Sequence, residues 1–349
     1  MIAKLFGHLC IIGVIFFVIG KIDFSILHSG TVLHESTHEV LFFKMESDQE
    51  GYVWTNGMSR RSNKVHISSI GTRQKDQQLS CDKVRILATG SSSTFGSGLK
   101  DEEVWSSLLN RKFISEGVDA EVFNSANPGW GPYHWFNFVE LNSVKFNPDV
   151  ILIPLSFGDF TFYPVTIDDG ERAAWVDRDA AKKKLLNFDN FISYSLRKTM
   201  YLLQSLKQKY QRTHVDEGLP LSEAVSRFEQ HFDNQKNYLL SLVKLAENNR
   251  FKLVFFVRNA DATKSGGALL SNLIELSNAY ENVFVFQIHP QEFRPELQGD
   301  EIKTYYNENL IIKNDGHPNE LYSALMAERL FAGLSPIVES IENPKNLCQ

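Results

Sequence analysis

Positive charge is in short supply in this sequence. The 349 residues include 36 Lys and Arg against 42 Asp and Glu, a formal net charge of −6. Binding nucleic acid calls for a basic face, so this balance gives no case for such a partner. Cysteine is nearly absent, with only Cys10, Cys81 and Cys348. Cys10 falls in an apolar run. Cys81 and Cys348 could pair in an oxidising compartment, but nothing in the sequence brings them together, and two unpaired thiols are the expectation. There is no internal repeat and no low-complexity tract. With 43% hydrophobic and 22% charged residues, the chain reads as an ordinary globular protein with a sizeable core.

Long apolar runs are also lacking, with one exception. Between Lys4 and Lys21 there is no charged residue apart from His8, and Leu9–Gly20 is apolar throughout. A membrane-spanning helix takes ~20 apolar residues and a signal-peptide core ~7–15, so this run lies between the two. No small-x-small cleavage site follows. An uncleaved signal anchor over 1–21 is therefore expected ahead of a cleaved signal, with a buried helix of the fold as the alternative. Lys4 and the α-amine would stay on the cytoplasmic side. The rest would face a periplasm or the cell exterior.

Residues 22–82 read as a lead-in segment with short strands, such as 39–45 and 64–70. From 83 the pattern changes. Apolar runs at 83–89, 120–123, 149–156, 251–257 and 283–288 read as buried strands. Helical patterns fall at 101–117, 132–146, 188–211, 222–249, 267–280 and from Pro318 to about 332. Strands alternating with helices predict an α/β fold, a doubly wound, mostly parallel sheet with helices on both faces. The main domain is expected over 83–335, with 159–220 a helical insertion or lid and 336–349 a tail.

Ligands of open α/β sheets bind beyond the carboxyl ends of the strands. Three strand ends there carry polar clusters: Gly90–Gly96 (GSSSTFG), Asn124–Gly131 (NSANPGWG) and Ser156–Asp159 (SFGD). A fourth, Asn314–Asn319 (NDGHPN), precedes the last helix. Pro318 suits a first helical turn, where its missing N–H is not needed. That leaves His317 on a loop, with Asp315 two residues away. A carboxylate on one imidazole nitrogen fixes the tautomer and leaves the other nitrogen as a base. The same loop also fits a capping role for Asp315 and Asn319, and the local sequence leaves both open.

Taken together, these blocks resemble the SGNH/GDSL-type hydrolases, of the membrane-anchored bacterial kind. The family's Gly-Asp-Ser-x-Thr-Phe-Gly is matched by Gly90–Gly96, with Ser91 in place of aspartate. Its second block is similar to Asn124–Gly131, its third to Ser156–Asp159, and its Asp-x-His-Pro-Asn to Asp315–Asn319. The segment 65–73 is similar to the family's lead-in. The resemblance implies Ser92 as nucleophile, His317 as general base and Asp315 as its orienting partner, with no metal and no cofactor. It implies an oxyanion hole from the backbone N–H groups of Ser92 and Gly129. The family's third donor is an asparagine amide, and this chain has Gly158 in its place. Losing one such donor commonly costs ~10²–10³ in rate. The Ser156 hydroxyl, the Gly158 N–H or the Asn127 amide are the candidate substitutes. Asn127, Trp130, Ser156 and Asp159 are the candidate substrate contacts, Trp130 through sugar stacking, with core packing of the 132–146 helix an equal alternative.

A rival motif, His34-Glu-Ser-Thr-His38, fits the H-E-x-x-H of zinc metalloproteases. That chemistry needs a helix, whereas Thr31, Val32, Thr37, Val40, Phe42 and Phe43 favour a β-segment. The reading that follows is an exported serine esterase acting on an acylated glycan or small ester. A polysaccharide O-acetyltransferase and a catalytically silent glycan-binding scaffold are the alternatives.

Overall fold

The computed structural model describes residues 34–38, 40–55, 60–74, 79–80, 82–156, 158–161, 221–258, 264–312 and 316–341. These belong to one compact unit, Val32–Thr166 with Leu219–Gln349. The apolar run at 9–20, the helical pattern at 188–211, Cys81, Cys348 and Asp315 lie outside the described residues. Among those described, no helix is long and apolar enough to cross a membrane.

The lead-in forms two antiparallel hairpins. Strand β1 (His34–His38) pairs with β2 (Phe42–Met45), and β3 (Gln49–Thr55) with β4 (Arg60–Ile67). The H-E-x-x-H motif is thus a strand. Four strand steps separate its two histidine backbones by ~13 Å, where a helix would bring them within ~6 Å. Zincin chemistry loses its scaffold. No group of three or more metal-binding side chains occurs among the described residues. β4 stops at Ile67, short of the expected 70, because a turn closes there. Ser68 N–H donates to Thr72 O, and Gly71 takes φ +86°.

The main sheet is built from β5 (Val84–Ala88), β6 (Ala120–Asn124), β7 (Val150–Leu155), β8 (Lys252–Arg258) and β9 (Val283–Ile288). All neighbours are parallel, in the order β6-β5-β7-β8-β9. Counted along the chain this is 2-1-3-4-5, a doubly wound order whose direction reverses between β5 and β7. The ligand crevice of such a sheet opens at that reversal.

The central strands are apolar throughout because both faces are covered. Leu87, Ile151, Ile153, Leu155, Leu253 and Phe255 pack on one side. There they meet α3 (Pro132–Phe146), α5 (Leu221–Asn249) and α6 (Lys264–Ala279) through Trp135, Leu242 and Leu273. Ile86, Ala88, Val150, Leu152 and Val254 pack on the other. Their partners are Leu109 of α2 (Trp105–Ser115) and Met326 and Leu330 of α8 (Glu320–Glu339). Two short helices complete the carboxyl edge, α1 (Ser92–Phe95) and α4 (Gly158–Thr161), and α7 (Asp300–Tyr305) runs into a π turn at Tyr306–Leu310.

Two helices differ from expectation. The predicted 101–117 helix is broken. Asp101–Glu103 forms a 3-10 turn and Val104 is extended. Asp101 is drawn to the lead-in by the His66 N–H at 3.2 Å and by Arg73, which ties this turn down separately. The last helix begins at Glu320 with Asn319 as its cap, accepting from Tyr322 N–H at 3.0 Å, and not at Pro318. It runs on through Pro336 to Glu339, past the expected domain end, because Ile337 and Val338 continue its buried face.

Candidate active site

Ser92 stands at the reversal point of the sheet. After β5, Thr89 N–H donates to Leu152 O, and Gly90 O accepts from Asn127 N–H. Ser91 is extended, and the chain then turns into the single-turn helix α1. Gly96 ends it with φ +83°, its N–H returning to Ser92 O. A strand ending in a tight turn at a helix start lifts the first helical side chain off the sheet. Thr94 holds the turn from below, donating from Oγ1 to Pro154 O at 2.8 Å. Its own carbonyl accepts from Trp105 Nε1 and Asn124 Nδ2, both at 2.9 Å.

Arg73 clamps the other end of α1. Its guanidinium is buried and donates to Phe95 O, Gly96 O and Leu99 O, with Asp101 beside it. Burial pulls it down to about 10 against the opposing pull of Asp101. Motif reading of the four blocks alone passes over this residue. Its only signal is its place in the 65–73 lead-in.

His317 arrives from the far end of the chain. Its carbonyl accepts from Ile312 N–H at 2.8 Å, Pro318 bridges to Ile311, and Asn319 N–H reaches Leu310 O. The loop is therefore closed on itself by backbone bonds. His317 Nε2 lies 2.8 Å from Ser92 Oγ. Neither Ser91, which is buried, nor Ser93 makes a histidine contact among the described residues. Asp315 is outside the described residues, so its role remains what the resemblance implies.

Gly129 takes φ +96° in the loop after β6, a conformation suited to glycine. Among the described residues, neither its N–H nor that of Ser92 donates to a protein acceptor. Gly158 opens α4, where no intrahelical acceptor exists for its N–H.

Three candidate substrate contacts have other duties. The Ser156 N–H and hydroxyl both donate to Asp159 Oδ2, at 2.6 and 3.1 Å, so that hydroxyl is not a spare oxyanion donor. Asp159 is 5% exposed and pairs with Arg258 Nη2 at 3.4 Å. It serves the loop and not a ligand. Arg258, a charge at the carboxyl end of an apolar strand, was the overlooked signal. Trp130 is 1% exposed and stacks on His134, with ring centroids 6.0 Å apart. No face is left for a sugar. Asn127 is 2% exposed, and its Oδ1 has no partner among the described residues.

His134 receives the Gly131 N–H on Nδ1 at 3.3 Å. Burial pushes it down to about 3, so it stays neutral beneath the second block.

No family model matches the chain, and no curated protein matches it. Solved structures similar to it include a psychrotrophic esterase, EstA, from Pseudoalteromonas sp., at 13% identity over 73% of this chain and 99% of that one, TM-score 0.43. An acetyl xylan esterase, AlAXEase, is 9% identical over 72% and 100%, TM-score 0.42. The Clostridium thermocellum family 3 carbohydrate esterase is 13% identical over 75% and 100%, TM-score 0.39. With these TM-scores below 0.5, the functional reading rests on the chain's own motifs and geometry.

Proposed function

We propose that the chain is an SGNH-type serine esterase that removes a small acyl group, with Ser92 as nucleophile. The observation that carries this reading is the 2.8 Å approach of His317 Nε2 to Ser92 Oγ. A serine hydroxyl is a weak nucleophile until a base accepts its proton. With the ring proton on Nδ1, His317 Nε2 is that base.

Ser92 Oγ attacks the acyl carbonyl and its proton passes to Nε2. The carbonyl oxygen becomes an oxyanion, held by the Ser92 and Gly129 N–H groups. His317 then gives its proton to the leaving alkoxide, and the carbon–oxygen bond to it breaks. A water molecule, deprotonated by His317, attacks the acyl-Ser92 ester. Collapse returns the proton to Ser92 and releases the acid. Asp315 orients the imidazole in this scheme.

The substrate we infer is an O-acetylated glycan of the cell envelope or exterior. This rests on the family resemblance and on the apolar run at 9–20, which also supports export and membrane anchoring. Cell fractionation with and without residues 1–21 tests the location. A chromogenic acetyl ester tests the chemistry. Wild type should turn it over, and Ser92→Ala should not. Equal rates would remove Ser92 from the mechanism.

A further inference from the structure

The carbonyls of the nucleophile turn need partners from outside it, since the last four C=O groups of a helix have no intrahelical donor. Ser92 O takes the Gly96 and Ser97 N–H groups. Thr94 O takes Trp105 Nε1 and Asn124 Nδ2. The next carbonyls fall to Arg73, which comes from the lead-in. Its Nη1 donates to Phe95 O at 2.6 Å and to Gly96 O, and its Nη2 to Leu99 O at 2.6 Å. Nε donates to Asp101 Oδ1 at 3.4 Å. One planar group, with five N–H donors in a fixed fork, thus grips the chain from 95 to 101.

Arg73 is itself held from several sides. Its backbone N–H donates to Asn124 O at the end of β6. The turn before it is closed by the Ser68 Oγ–Thr72 Oγ1 contact at 2.8 Å and by Thr72 N–H on Ser68 Oγ at 3.1 Å. The guanidinium carbon lies 4.5 Å from the centroid of the Phe95 ring. A Cβ added at Gly96 would stand 3.0 Å from Nη1, so there is little slack between the fork and the end of α1. Asp101 is steadied in turn by the His66 N–H, with His66 Nδ1 2.5 Å from Asp101 Oδ2 and His66 Nε2 2.5 Å from Glu50 Oε2. Polar contacts therefore run without a break from the β3–β4 hairpin to the turn that carries Ser92.

We propose that Arg73 is a positioning residue of the esterase reaction. Its side chain makes no hydrogen bond to Ser92 or His317 among the described residues. It acts through α1, fixing the turn and with it the distance from Ser92 Oγ to His317 Nε2. The lead-in then belongs to the catalytic unit. The proposal rests on the esterase reading with Ser92 as nucleophile. Lysine cannot replace this arginine, because its three donors leave one atom and cannot span Phe95 O, Gly96 O, Leu99 O and Asp101 together.

The test compares full-length wild type, Arg73→Lys and Arg73→Ala on a chromogenic acetyl ester. The folded fraction is measured by circular dichroism, and kcat is expressed per folded chain. A misplacement of about 1 Å can cost ~10²-fold in rate. Arg73→Ala should therefore lose about a hundredfold in kcat and Arg73→Lys at least about tenfold, both with KM little changed. If Arg73→Ala does not fold, Arg73→Lys, which keeps the charge beside Asp101, still decides. A crystal structure of Arg73→Lys reads the geometry without substrate: the His317 Nε2–Ser92 Oγ separation, 2.8 Å in wild type, should open beyond the ~3.2 Å of a hydrogen bond. A kcat per folded chain equal to wild type in Arg73→Lys overturns the proposal and leaves the esterase reading intact. If wild type turns over no ester, the esterase reading is lost and the crystal structure decides alone. An open Ser92–His317 pair in Arg73→Lys then keeps the positioning role, and a pair as close as in wild type overturns it.

Discussion

Gly90 and Thr94 are packed so closely that a Cβ on Gly90 would lie 2.3 Å from Thr94 Oγ1 and 2.6 Å from its Cβ. Thr94 is not free to swing away, since Oγ1 donates to Pro154 O. The glycine before the serine run is therefore a packing requirement of the turn that lifts Ser92. Overpacking of this kind typically costs about 1–3 kcal/mol. Gly90→Ala should lower the denaturation midpoint accordingly, and esterase activity should fall more steeply than stability, because the turn carries the proposed nucleophile. Urea titration and ester turnover on the same preparation check this.

His134 makes stability depend on acidity. Its folded pKa, about 3, lies below its unfolded value of ~6.5. Between those values the unfolded chain binds the proton and the folded chain does not. Stability therefore rises with pH across that window and is lost as pH falls through it. The slope from this one group is at most about 1.4 kcal/mol per pH unit. His134→Asn keeps an acceptor for the Gly131 N–H without titrating. Its stability, followed by urea unfolding from pH 7 to 4, should fall less steeply than that of wild type.

The buried Asp159–Arg258 pair should behave asymmetrically. Removing one partner of such a pair leaves an uncompensated charge and costs ~3–5 kcal/mol, whereas replacing both with apolar groups is far milder. Asp159→Ala should be strongly destabilised. Adding Arg258→Met should recover most of the loss. A double-mutant cycle by thermal or urea unfolding measures the coupling, and additive effects would mean that the pair does not act as a unit.

Gly158 offers a gain-of-function experiment. Its φ is not in the left-handed region, and it sits at a helix start, so the backbone accepts asparagine. Gly158→Asn supplies the amide that the family resemblance associates with this position. Restoring an oxyanion donor should raise kcat at least tenfold, within the ~10²–10³ that such a donor carries, with little change in KM. An unchanged kcat would show that another donor already fills the place.

The strands at 84–88, 150–155 and 252–258 were legible because strands buried on both faces are written as unbroken apolar runs. The serine run and the His317 loop were legible through local signals, a strand end before Gly90 and a loop before the last helix, while the choice of Ser92 came from the family resemblance. What distinguishes Ser92 from Ser91 and Ser93, contact with a base 225 positions away, has no local trace. Arg73 and Arg258 were missed for the same reason, since their partners Phe95 and Asp159 lie 22 and 99 positions away. For Trp130 core packing and sugar stacking were both open, because an aromatic after a glycine loop looks alike in sequence whether it lines a cleft or fills a core. Packing against Phe138 and His134 decided it.

Ser92, alone of three consecutive serines, is the proposed activated nucleophile. Incubation with diethyl 4-nitrophenyl phosphate, followed by peptide mapping, tests it directly, since only an activated serine displaces the nitrophenolate at neutral pH. One diethylphosphoryl group per chain is expected, on Ser92, and none on Ser92→Ala. A label on Ser91 or Ser93, or no label on folded wild type, would contradict it.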